Sequence, residues 1–97
     1  MNNLAGLYES QGHYAEAEPL YRRALATRER VLGAEHPSTL KSVNNVAGLY
    51  ESQRRYADAE QLYQRAVSAA ERVLGHDHPA TQLYRDNLEH LRSTITA

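Results

Sequence analysis

The chain has 97 residues, 11 basic and 12 acidic side chains, a formal charge of −1, no cysteine, and seven tyrosines as its only aromatic residues. That length fits one small domain over residues 1–97, a size that buries only about 60 to 65% of its unfolded surface; without cysteine there are no disulfides or thiolate metal sites, which points to a reducing, cytoplasmic setting. Charges of both signs are interleaved, which argues against a nucleic-acid or anionic-membrane surface, and no apolar run approaches the roughly 18 residues of a membrane span, nor does a secretory signal open the chain.

Met1 to Gln11 places Leu4, Leu7 and Tyr8 on one stripe with Ala5 and Gly6 between them, a helical spacing. No capping residue precedes it, which reads as a start inside a longer array or a frayed first helix. Gly12-His13 forms the turn, because glycine takes the left-handed conformation that ends helices. Tyr14, Ala17, Leu20, Tyr21, Ala24, Leu25, Arg28, Val31 and Leu32 then fall at helical steps, predicting an amphipathic helix of about five turns that Gly33 stops. Pro19 predicts a mild bend in it, and Ala17 and Ala24 predict close approach of a neighbouring helix.

Ala34-Glu35-His36-Pro37 is a connector whose proline opens the next helix, with Leu40, Val43, Val46, Ala47 and Tyr50 on its apolar face. Tyr56 to Leu74 repeats the long helix, Gly75 ends it, and Pro79 begins a fifth helix reaching roughly Arg92.

A shift of about 42 residues superposes the chain on itself: Ala5-Gly6-Leu7-Tyr8-Glu9-Ser10-Gln11 returns as Ala47-Gly48-Leu49-Tyr50-Glu51-Ser52-Gln53, and about 25 positions are identical. The repeats are 1–43 and 44–85. In the second copy Arg54-Arg55 replaces Gly12-His13, so the left-handed turn is dearer there by about 1 kcal/mol. The same shift puts Glu89, His90 and Arg92 where Ala47, Gly48 and Tyr50 stood, so the helix within 79–94 reads as a polar cap that ends the stack.

Leu4-Ala5, Tyr8, Gly12, Tyr14, Ala17, Tyr21 and Ala24-Leu25, with Val46-Ala47, Tyr50, Tyr56, Ala59, Tyr63 and Ala66-Val67 as second copy, resemble a tetratricopeptide repeat. The strings Asn-Asn-Leu-Ala, Ala-Glu-Pro-Leu-Tyr, Arg-Glu-Arg-Val-Leu-Gly and Glu-His-Pro resemble the longer repeats of kinesin light chain and related bacterial arrays. The resemblance implies an all-α fold, a right-handed α-solenoid of antiparallel helix pairs with two units and a capping helix, five helices in all. It also implies a concave groove that takes peptides. Carried onto this chain, the groove residues are Asn2, Asn3, Gly6, Glu9 and Ser10, then Lys41, Asn44, Asn45, Gly48, Glu51 and Ser52, then Asp86, Asn87 and His90. Independently of the resemblance, Lys41, Asn44, Asn45, Gly48 and Ser52 fall on the side opposite Val43, Ala47 and Tyr50. Paired asparagines suit a peptide backbone because each amide both donates and accepts, and Gly6 and Gly48 are read as room for a ligand. The family's clamp for a terminal carboxylate needs Lys and Asn where this chain has Asn2, Gly6, Asn44 and Gly48, so a chaperone tail is not the implied ligand.

His76-Asp77-His78, with His36 and His13, supplies metal-binding residue types, but two histidines two apart in a turn make only part of a site, and no metal or other cofactor is expected. No nucleophile stands beside a base and no phosphate loop occurs, so an enzyme is not indicated. The expectation is a protein-binding or peptide-binding scaffold, with no nucleic-acid or membrane partner. The alternative is a self-associating repeat module, a homodimer for instance, joined through exposed apolar residues such as Leu7 and Tyr8.

Overall fold

The computed structural model describes residues 14–96. They form four helices and no strand: α1 (Tyr14–Leu32), α2 (Pro37–Ser52), α3 (Tyr56–Val73) and α4 (Pro79–Thr96). The first of the five expected helices, Met1–Gln11, lies outside the described residues.

The breaks follow local chemistry. Gly33 and Gly75 take φ of +98° and +95°, and a Cβ built at either would meet nothing within 4 Å, so these positions require glycine for its backbone freedom rather than for space. His36 and His78 then open α2 and α4 in the same way. The Nδ1 of His36 accepts the Ser38 N–H at 3.1 Å, and the Nδ1 of His78 accepts the Ala80 N–H at 3.0 Å. Each ring satisfies one amide left without an intrahelical acceptor, and the proline between cap and amide has none to satisfy.

The turn after α2 adopts the expected left-handed conformation without glycine: Arg54 has φ +63°, the only non-glycine residue with positive φ among the described residues. Its N–H donates to the Glu51 carbonyl at 2.9 Å and that of Arg55 to the Tyr50 carbonyl at 2.8 Å, the paired bonds that close a helix C-terminus.

Three sequence expectations are corrected. α4 runs to Thr96, beyond Arg92, and α3 ends at Val73 with Leu74 as its cap. Val31 and Leu32 are 64% and 42% exposed. Helical angle put them on the apolar stripe, but in the last turn of α1 the described residues provide no neighbour to cover them. Pro19 lies inside α1, as expected.

Side-chain pairings give the layout. Arg28 near the end of α1 donates to Ser42 near the start of α2 at 2.6 Å, and Glu71 near the end of α3 receives Arg85 near the start of α4 at 2.9 Å, so both neighbouring pairs are antiparallel. Glu18 with Arg55, and Glu29 with Arg65, join the early parts of α1 and α3 to each other and the later parts likewise, so these two are parallel. The extents of 39 × 34 × 19 Å describe a slab about two helix diameters thick.

Between the layers, one core joins Ala17, Tyr21, Val46, Ala47, Leu49, Tyr50, Ala59, Tyr63, Leu88 and Leu91, and another joins Leu40, Val43, Ala66, Ala69, Ala70 and Tyr84. Alanines at Ala17, Ala59 and Ala66 are fully buried in the same cores as Tyr21, Tyr50, Tyr63 and Tyr84, and their small size lets adjacent helices approach.

Candidate functional site

The side of α2 opposite its apolar face and the corresponding side of α4 carry the described members of the expected groove. The structure joins two of them: Asn87 Nδ2 on α4 donates to Asn44 Oδ1 on α2 at 3.0 Å, between half-buried side chains 43 residues apart. Each amide still has further donor or acceptor capacity. Lys41, Asp86 and His90 are exposed and Asn45 is half-buried, and their side chains have no partner among the described residues. The Ser52 hydroxyl donates to the Gly48 carbonyl at 3.1 Å, within the helix.

Glu51 and Gly48 are engaged inward. The Tyr63 hydroxyl of α3 donates to Glu51 Oε1 at 2.9 Å, and the same hydroxyl lies 3.5 Å from where a Cβ on Gly48 would stand. The room left by Gly48 is thus bordered by a tyrosine of its own repeat. Asn2, Asn3, Gly6, Glu9 and Ser10 lie outside the described residues.

One residue escaped the sequence reading. Leu83 on α4 is 53% exposed and stands 42 positions after Lys41, so the repeat shift alone puts an apolar side chain where α2 has its cation. The repeat shift carries that signal, which a polar-cap reading of 79–94 leaves out.

Another concavity lies elsewhere. A cleft of about 420 Å³ runs between α1 and α3, with Leu25, Ala26 and Leu62 on its walls, Val46 and Tyr50 at its floor, and Arg22, Glu29, Arg55 and Asp58 at its rim. It contains none of the expected groove residues. The Arg55 guanidinium, which lines the cleft, covers the Tyr50 ring at 4.1 Å and pairs with Glu18 and Asp58.

Among the described residues no three His, Cys, Asp or Glu side chains converge as a metal set. His36 and His78 are engaged as helix caps, and His76 Nδ1 lies 3.3 Å from Glu71. The hydrogen bond from Arg85 holds the Glu71 carboxyl below the usual range, outweighing the opposing desolvation with help from the charges of His76 and Arg85. Burial pushes the Tyr84 phenol up. No described helix is long and apolar enough to cross a membrane.

Helices α2 and α4, each opened by a histidine-capped proline 42 residues apart, alternating with α1 and α3, each followed by a left-handed glycine, have the architecture of a helical repeat array. The family model described as Tetratricopeptide repeat matches residues 1–71 and 41–93. The chain belongs to the tetratricopeptide repeat family. Among solved structures it is similar to BtubC (BKLC) from P. vanneervenii, with a TM-score of 0.85 and 25% identity over 95% of this chain. The tetratricopeptide chain spans 36% of the length of that structure. No curated protein matches it. Family and structural match together identify a kinesin-light-chain-like repeat protein. Tetratricopeptide repeats generally mediate contacts between proteins and are generally scaffolds rather than enzymes.

Proposed function

We propose that this chain is a non-enzymatic scaffold that binds a peptide segment of a partner protein along the side of α2 and α4 that carries Lys41, Asn44, Asn45, Ser52, Leu83, Asp86, Asn87 and His90. The observation that carries the reading is the Asn44–Asn87 bond. It sets two asparagines side by side on successive first helices, next to side chains with unused polar capacity and one exposed leucine. Such a surface takes hold of a peptide backbone through amides and of one apolar side chain through Leu83. In the same reading residues 1–97 are one domain, a right-handed solenoid of repeats 1–43 and 44–85 with a capping helix within 79–94. Asn2, Asn3, Gly6, Glu9 and Ser10 of a fifth helix then extend the groove, while Glu51 and Gly48 shape it from behind. A cytoplasmic site of action fits the absence of cysteine.

The test is capture of peptides selected from a random library on the whole protein. Asn44→Glu with Asn45→Glu, and separately Asn45→Glu alone, which breaks no bond in the structure, are expected to abolish capture while the helical circular dichroism is retained. Unchanged capture would sink the groove.

A second reading, self-association into a homodimer, is favoured by exposed Leu83 and Ile95 on α4, 53% and 46% accessible. Its Leu7 and Tyr8 lie outside the described residues. Light scattering over a concentration series decides it, because a mass that stays at 11.0 kDa throughout rejects it.

A further inference from the structure

The half-buried acids among the described residues are Glu18, Glu29, Glu51, Glu60 and Glu71. Glu18, Glu29, Glu60 and Glu71 each hold an arginine, at 3.2, 2.6, 3.0 and 2.9 Å. Glu51 holds none. Its Oε1 accepts from the Tyr63 hydroxyl at 2.9 Å, and its Oε2 has no partner among the described residues. A carboxylate taken partly out of water is offset less by a neutral phenol than by a cation, which makes the stronger, charge-assisted bond. The chain's own cations on this side do not supply one. Lys41 is ten residues earlier on α2, about 15 Å along the axis. Arg54 gives its backbone amide to the Glu51 carbonyl at 2.9 Å, but its guanidinium is not bonded to the carboxylate.

Gly48 leaves this acid uncovered. It stands one turn before Glu51 on the same side of α2, and a Cβ there would lie 3.5 Å from the Tyr63 hydroxyl that bonds Glu51. Asn44, one turn earlier again, is fixed by Asn87 and forms the other border of the gap. On α4 the repeat shift puts His90 and Ser93 where α2 has Gly48 and Glu51, so that helix has neither the gap nor the acid.

We infer that Gly48, Glu51 and Tyr63 form a pocket for a basic side chain of the bound peptide, whose ammonium or guanidinium donates to Glu51 Oε2 while the Tyr63 hydroxyl holds Oε1. The inference rests on the reading of this side as a peptide groove and adds to it one charge requirement, at one place, that the asparagines do not impose.

The probe is a random peptide library displayed on phage, selected in parallel on the whole unaltered protein and on Glu51→Gln, whose amide oxygen still accepts from Tyr63. Peptides recovered on the unaltered protein are expected to share lysine or arginine at one aligned position, and those recovered on the variant to lack it. One recovered peptide is then compared by fluorescence anisotropy with its synthetic analogue carrying norleucine at that position. Removing the charge is expected to weaken binding to the unaltered protein about tenfold, less at high salt, and to leave binding to Glu51→Gln unchanged. Gly48→Leu, which fills the gap and keeps the acid, is expected to lose the same preference, with circular dichroism retained in both variants. Recovery of peptides with no shared basic position, or an equal basic preference on either variant, overturns the pocket; the groove reading survives that result if capture still fails on Asn45→Glu. No capture by the unaltered protein overturns both.

Discussion

At the scale of single residues the two repeats allow a controlled comparison. Thr39 and Thr81 hold the same repeat position and are both fully buried. The Thr39 hydroxyl donates to the Gly33 carbonyl at 2.7 Å, whereas Thr81 Oγ1 has no hydrogen-bond partner. A buried hydroxyl contributes only when it is paired. Thr39→Val is therefore expected to cost about 1 kcal/mol, while Thr81→Val leaves stability unchanged or raises it; equal losses in urea unfolding would contradict this. No reading of the sequence distinguishes the two threonines.

At the scale of elements, helix limits were legible wherever a backbone requirement meets one residue type. Gly33 and Gly75 end helices and Pro37 and Pro79 begin them. Arg54 is the exception that the repeat comparison exposed, a left-handed turn residue without glycine's freedom. An L-residue there costs about 1 to 2 kcal/mol, partly offset by the extra unfolded-state entropy of a glycine. Arg54→Gly is expected to stabilise the chain by about 1 kcal/mol and raise Tm by about 4 to 8 °C. A lower Tm would mean that the Arg54 side chain contributes more than its backbone costs. The exposure of Val31 was not legible, because periodicity assigns a face but not whether anything covers it.

At the scale of the whole molecule, the α3–α4 contact contributes a pH dependence at the acid end. Arg85 lowers the Glu71 carboxyl below its ordinary value of 4.5, so the folded state binds that proton less readily than the unfolded one. The resulting stability is complete above the unfolded value and is lost as pH falls through the folded one. Glu71→Gln is expected to be less stable than the unaltered protein at pH 7, with the difference shrinking as thermal unfolding is followed below pH 4.5. A difference that stays constant with pH would separate Glu71 from this linkage.

The sequence by itself determined the helical class, the 42-residue period, the family and the helix breaks, since a repeated pattern of apolar and small residues has few ways to bury itself. It also marked one polar side of α2 and α4. Only the tertiary structure decided which of those polar groups meet, joining Asn44 to Asn87 and turning Glu51 towards Tyr63. It alone paired Glu18, Glu29 and Glu35 of the first repeat with Arg55, Arg65 and Arg72 of the second. Those outcomes depend on the distance between residues 12 to 43 positions apart. Such distances are fixed by how buried alanines and tyrosines let the helices approach, and no local pattern encodes them.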